Sequence, residues 1–355
     1  MHRARSILLS TALAAGLVAR TPAPSHAADA RVVENPDRGL WDDAPRGTFH
    51  LLENLVLGSE DGDDAFGQIS GVAVDSRGRW IILDRGYVAV RIYDPESLEM
   101  VSFGSKGEGP GEFNFPTALG VDAEDRVYVA SQGGRVAIFS AQGELVGEFR
   151  HRFPGGGVAW SVKPGANGIY LAWLDPVAHK IVHRYDRRHE YLSSFSDSHA
   201  VVKPMAPMDE PVFCGGAIDL GPDETVYFTQ STPYEIRSFT PDGRLLMTIH
   251  RENDFMQPPR VERHGDGATF HAYAASVNIL ALPDGRIMNV VNVPPAGEDA
   301  PAYTILDLFE TNGRLLKSRR FDRRLSVRCR DHDGRVYAIE ERDYPVVVRY
   351  ELKMP

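Results

Sequence analysis

Six diverged copies of one strand-rich unit, an aromatic residue near the end of each third strand, and a last copy that stops one strand short together predict an all-β fold. The architecture they imply is a six-bladed β-propeller with four antiparallel strands per blade, the ring closed by an N-terminal strand in the last blade. The clearest copy, Gly71–Gly104, reads GVAVDSRGRWIILDRGYVAVRIYDPESLEMVSFG. The second, Ala118–Phe149, reads ALGVDAEDRVYVASQGGRVAIFSAQGELVGEF. Weaker copies span Gly157–Phe195, Gly215–Ile249, Tyr273–Arg319 and Leu325–Lys353. The third-strand aromatics are Tyr93, Phe139, Tyr185, Phe239, Phe309 and Tyr350, at spacings of 46, 46, 54, 70 and 41 residues.

In chain order, residues 1–27 read as a signal peptide. His2, Arg3 and Arg5 form a basic start, Ile7–Val18 a short apolar run, and Ser25-His26-Ala27 offers small residues at −3 and −1. Twelve apolar residues fall short of the roughly 20 that span a bilayer as a helix. The expected location is therefore periplasmic or secreted, with no transmembrane segment in the mature chain. Its removal takes away Arg3, Arg5 and Arg20 and no acid. That leaves 36 basic against 49 acidic residues, a net charge of −13, which disfavours nucleic acid as the main partner. Residues 28–47 form an N-terminal extension and 48–355 the propeller. Cys214 and Cys329 fall in blades four and six, which are not neighbours, and a bridge needs Cα atoms within about 7 Å.

Each copy reads as strand because Val, Ile, Tyr, Phe and Trp cluster in short runs between turns marked by Gly, Asp, Asn and Pro. Asp284-Gly285, Asp333-Gly334, Asp242-Gly243 and Asn312-Gly313 are hairpin turns, since Gly and Asn tolerate positive φ. Runs such as Trp80–Leu83 are apolar on both faces, as sheets sandwiched between neighbouring sheets require. The sixth copy ends just after its third strand, whereas Thr48–Gly58 resembles the fourth strand of the other units. Pairing the two removes open sheet edges and ties the termini together.

The linker Gly104–Pro116, GSKGEGPGEFNFP, followed by LGVDAEDRVYVA, resembles the inter-blade linker of NHL-type and related bacterial six-bladed β-propellers. A degenerate version stands at Gly58–Gly71. The resemblance implies an Asp closing the second strand, followed by Asn-x-Arg. Asp84 fits, Ser131, Trp173 and Gln230 depart from it, and Gly134-Arg135 keeps the Arg alone. Read physically, Gly107, Gly109 and Gly111 allow positive φ in a tight crossover, Pro110 and Pro116 restrict it, and Phe113 or Phe115 wedges between sheets.

Loops between blades, and between second and third strands, gather on one face around the channel, where ligands are expected. Ser196–Cys214, His250–His271 and Asn292–Tyr303 enlarge that face. Three residue sets there could carry chemistry. His151, His199 and His271 are the candidates for a zinc site of the kind the resemblance to propeller lyases implies, although no His-x-x-x-His spacing supports a preformed one. Glu112, Asn114, Asp219 and Asn278 would hold a divalent cation such as calcium in a lactonase-like channel. Lys317–Arg330, KSRRFDRRLSVRCR, carries seven cations against Asp322 and puts Arg324 and Arg328 at the mouth, where guanidinium groups can grip a carboxylate or phosphate. No Gly-x-Ser-x-Gly elbow is present. The function expected is that of an exported, non-catalytic propeller without a cofactor, binding a protein, peptide or small anionic ligand on its loop-rich face. The alternative is a metal-dependent lyase or lactonase acting in the channel.

Overall fold

The computed structural model describes residues 30–44, 47–151, 158–199, 213–257, 260–265, 267–271, 274–295 and 301–355; the signal segment lies outside them. Two strands, β1 (Arg31–Asn35) and β2 (His50–Leu57), precede the repeats. Blade 1 holds β3 (Ile69–Val74), β4 (Trp80–Asp84), β5 (Ala89–Tyr93) and β6 (Met100–Phe103). Blade 2 holds β7 (Pro116–Val121), β8 (Val127–Ser131), β9 (Arg135–Phe139) and β10 (Leu145–Arg150). Blade 3 holds β11 (Ser161–Gly165), β12 (Gly168–Asp175), β13 (Lys180–Tyr185) and β14 (Tyr191–Asp197). Blade 4 holds β15 (Gly216–Leu220), β16 (Val226–Gln230), β17 (Glu235–Phe239) and β18 (Leu245–Arg251). A hairpin, β19 (Arg260–His264) and β20 (Gly267–His271), fills the second long insertion. Blade 5 follows as β21 (Ala275–Ala281), β22 (Ile287–Val293), β23 (Tyr303–Phe309) and β24 (Leu315–Phe321). Blade 6 contributes β25 (Ser326–Arg330), β26 (Val336–Glu341) and β27 (Pro345–Lys353).

The fold is the six-bladed propeller. First strands touch in the order β3, β7, β11, β15, β21, β25 and back to β3, so the sheets stand in a closed ring. β2 completes blade 6, running antiparallel to β27 with His50 opposite Lys353 and Leu57 opposite Val347. Equivalent registers recur. Trp80 faces Tyr93, Val127 faces Phe139, Ile169 faces Tyr185, Val226 faces Phe239, Ile287 faces Phe309, and Val336 faces Tyr350. All six aromatics are buried. Six hydrophobic clusters result, one per blade interface. Trp80 of blade 1, for example, meets Tyr337 of blade 6 edge-on at 5.2 Å. Full burial of one such side chain is worth about 1.5–3 kcal/mol, so the ring is held by apolar burial between sheets that no single blade could supply.

The first-to-second strand turns carry a repeated polar unit. Asp75 accepts from the backbone N–H groups of Arg77 and Arg79 and pairs with the Arg79 guanidinium at 2.7 Å. Asp122 with Arg126, and Asp331 with Arg335, repeat it. These carboxylates are held by turn geometry and are absent from the lining of the central channel.

One local expectation needs correction, and two others gain detail. Gly111 does adopt positive φ (76°), but Gly107 and Gly109 do not. There a Cβ would stand 2.0 and 2.9 Å from the Glu112 carboxylate, so the requirement is space. Phe113, fully buried between blades 1 and 2, is the wedge; Phe115 is exposed. Finally, the extension is structured. β1 adds to blade 4 as a fifth strand, parallel to β18. Asn35 donates to Gly313 O (2.9 Å) and accepts from Leu315 N (2.7 Å) in blade 5. Leu40 N and Trp41 N then bond Leu315 O and Leu316 O. Residues 31–41 thus strap blades 4 and 5 before entering blade 6. Cys214 and Cys329 are both buried and are not bridged to each other.

Candidate functional site: the channel and its mouth

The six first strands enclose a central cavity of about 250 Å³. Its wall is predominantly polar, with Lys163, Asp219, Asn278, Arg328 and Arg330 contributing, and carries apolar patches at Val72, Leu119 and Val277. Four first strands carry a one-residue bulge, at Ser70, Thr117, Val277 and Arg328. Bulges re-aim side chains, and all four bulged residues line the cavity. The bulge in blade 6 sits deeper than the others. Ser70 and Thr117 precede the partners of Leu83 and Ala130, whereas Arg328 lies between the partners of Ala338 and Tyr337.

Most polar groups in the channel stitch one blade to the next. Thr117 donates to Ala159 O in blade 3 (2.6 Å), and Ile218 N donates to Ser161 Oγ (3.3 Å). Asp219 Oδ1 pairs with Lys163 Nζ at 2.9 Å, and its Oδ2 accepts from Ala281 N at 2.9 Å. Asn278 donates to Val327 O and Arg328 O at 2.9 and 2.8 Å. Asp219 and Asn278 therefore do line the channel, as expected, and both already have protein partners.

Glu112 and Asn114 lie elsewhere. Glu112 accepts from Gly109 N at 2.8 Å, and Asn114 donates to Glu108 at 2.9 Å. Both belong to the blade 1–2 linker and are absent from the channel lining, so the four-residue oxygen set does not assemble. His151 and His199 have different surroundings. His151 is buried and stacks on Trp173 at 4.9 Å. Burial pushes its pKa down to about 4. His199 lies 3.6 Å from Glu235 of blade 4, and His271 falls in β20, its side chain outside the described residues. Among the described residues, no three His, Cys, Asp or Glu side chains are grouped to hold a metal ion. The Cys329 thiol is pushed up to about 12 by burial, which removes it as a nucleophile near neutral pH.

The basic stretch behaves differently along its length. Lys317 pairs with Asp42, Arg319 donates to Phe49 O, Arg320 pairs with Asp322, and Arg323 donates to Tyr350 Oη. Arg330 is held by Ala281 O and Asp331 O. Arg324 is exposed. Arg328 lines the cavity, and its Nε is buried without an acceptor. Burial, reinforced by the charge of Arg324, lowers the Arg328 pKa below its ordinary value. A guanidinium keeps its proton all the same, so a cation stands in the channel wall with no ion-pair partner among the described residues.

Lys163 escaped the sequence reading, although it stands in the same kind of inner strand that singled out Asp219. The alternation Val162-Lys163-Pro164 was the available signal. The depth of the Arg328 bulge had none.

No family model matches the chain, and no curated protein matches it. Solved structures do. A DUF4221-family protein from Bacteroides vulgatus aligns with a TM-score of 0.60 at 8% identity, over 87% of this chain and all of the other. A candidate exported protein from Bacteroides fragilis gives 0.56 at 10% identity, over 91% and 99%. Virginiamycin B lyase from Staphylococcus aureus gives 0.51 at 11%, over 87% and 100%. At such identities the likeness shows the fold alone.

Proposed function

We propose that this chain is an exported, non-catalytic propeller that binds a small anionic ligand in its channel through Arg328, with Arg324 drawing the ligand in from the loop-rich face. One observation carries the reading. Of the two cations that this stretch sends into the channel wall, Arg330 has acceptors, whereas Arg328, turned into the cavity by a displaced bulge, buries its Nε with none among the described residues. An unpaired charge in a half-dry cavity costs stability, and an arriving carboxylate or phosphate would supply the missing acceptors in bidentate geometry. The predominantly polar wall, with apolar patches at Val72, Leu119 and Val277, suits a small ligand whose charged head reaches Arg328. The apolar run of residues 7–18 supports export, and the linker Gly104–Pro116 supports kinship with NHL-type propellers.

Calorimetric titration of the purified protein with butyrate, and separately with inorganic phosphate, tests this. Arg328→Ala should weaken the better ligand at least tenfold, as loss of a charge-assisted bidentate contact does. Arg324→Ala should weaken it only a few-fold, more so at low salt. Equal affinity in the wild type and Arg328→Ala would overturn the proposal. So would stoichiometric zinc or calcium in the purified protein together with lyase or lactonase turnover.

A further inference from the structure

The channel also holds a feature that sets how much charge a ligand can bring. Register fixes the level of each group. Lys163 faces Tyr170, Asp219 faces Tyr227 and Cys329 faces Tyr337. In each case that tyrosine follows the residue opposite the third-strand aromatic. The bulged Arg328, adjacent to Cys329, therefore stands within a residue of the level of Lys163 and Asp219. In a ring of six, blade 3 lies opposite blade 6, so Lys163 and Arg328 contribute from opposite walls of one small cavity.

Two cations on opposite walls would suit a dianion. Asp219 prevents it. Its carboxylate holds Lys163 Nζ at 2.9 Å and is itself fixed by Ala281 N at 2.9 Å, with little exposure to solvent. The blade 3–4 wall is thereby neutral as a pair and offers an approaching second anion a carboxylate as well as an ammonium. Arg330, the remaining cation of the lining, is occupied by two carbonyl oxygens. Uncompensated charge is confined to the blade 6 side.

We infer that Asp219 is a specificity-determining residue that makes the channel selective for monoanions over dianions, by neutralising Lys163 and repelling a second negative group at the level of Arg328. The inference rests on the anion-binding reading above and goes beyond it, naming the charge class of ligand and the residue that selects it. Discrimination works here through a built-in repulsive element. A carboxylate facing a second ligand charge in this partly screened setting is worth roughly tenfold in affinity.

The test is calorimetry at pH 7 with butyrate and succinate, which match in length and differ in one carboxylate. The wild type should bind butyrate better than succinate. Asp219→Asn keeps an acceptor for Ala281 N and frees Lys163, so succinate should gain about tenfold while butyrate changes little. Lys163→Met leaves Asp219 unneutralised and should weaken succinate more than butyrate. Equal binding of the two acids by the wild type, or an unchanged ratio in both variants, would overturn the assignment. If butyrate binds through Arg328 but the ratio fails to move, only this inference falls. If Arg328→Ala changes nothing for either acid, the proposed function falls first. Should Asp219→Asn fold poorly, the ratio in Lys163→Met decides.

Discussion

Blades 1 and 2 and blade 6 use polar side chains in opposite ways. In the two regular copies, polar groups close on their own linkers. Asp84 accepts from Gly67 N, Gln68 N, Gly86 N and Tyr87 N, and Arg91 donates to Asp63 O and Ala65 O. Arg135 does the same for Glu108 O and Gly109 O. Blade 6 is assembled from both ends of the chain, carries its bulge at a different depth, and leaves Arg328 without an acceptor. The contrast shows where to look for function in a repeat protein. Copies that obey the pattern have their polar chemistry absorbed by the fold, and the copy that breaks it has chemistry to spare.

The contrast breaks most readily at the closure. Phe49, fully buried at the blade 5–6 interface just before β2, anchors the composite blade. Phe49→Ala should cost about 3–5 kcal/mol in denaturant unfolding. A loss under about 1 kcal/mol would mean that the β2 pairing holds without it. Next in size is the regular copy. Asp84→Ala strands four backbone donors in a buried corner and should cost about 2–3 kcal/mol. It should leave anion binding unchanged, whereas a binding defect would show that the linkers are more than structural.

A smaller effect concerns the strap. His250 bonds Glu34 of β1 at 2.8 Å through Nδ1 and Glu235 of β17 at 3.0 Å through Nε2. His199 and Arg237 face the same Glu235. Partial burial opposes the charged ring, but the two carboxylates outweigh it and raise the His250 pKa. A raised folded-state pKa means that the contribution is fully present below the ordinary histidine value of about 6.5 and is lost as pH rises through the folded-state value. At this partly exposed site it amounts to less than about 1 kcal/mol. Hydrogen exchange of the β1 amides should therefore speed up in the wild type as pH rises above about 6.5, beyond its intrinsic pH dependence. His250→Gln should abolish that extra increment, and an identical pH profile in both would remove the latch.

How much of this the sequence disclosed follows from the same contrast. The six blades, the six aromatics and the closing strand were legible because each rests on period, composition and turn chemistry that recur along the chain. The strap was not, since Arg31–Asn35 is five residues with no repeat partner and pairs only because β18 presents a free edge. Asp219 and Asn278 stand in the inner strands that their sequence positions imply, whereas Arg328, expected at the mouth, lies in the channel wall. Glu112 and Asn114 are absent from that wall, because a loop of Gly residues let them fold back onto Gly109 and Glu108. Which of the seven cations lacked an acceptor depended on contacts from Asp42, Phe49 and Ala281, far away in sequence.

The most direct measurement is the melting temperature of Arg328→Met with and without butyrate. If the guanidinium is held unpaired for a ligand, the ligand-free variant melts at or above the wild type, gaining up to about 1–2 kcal/mol, and loses the ligand-induced rise that the wild type shows. A variant that melts lower and still responds to butyrate would contradict the account.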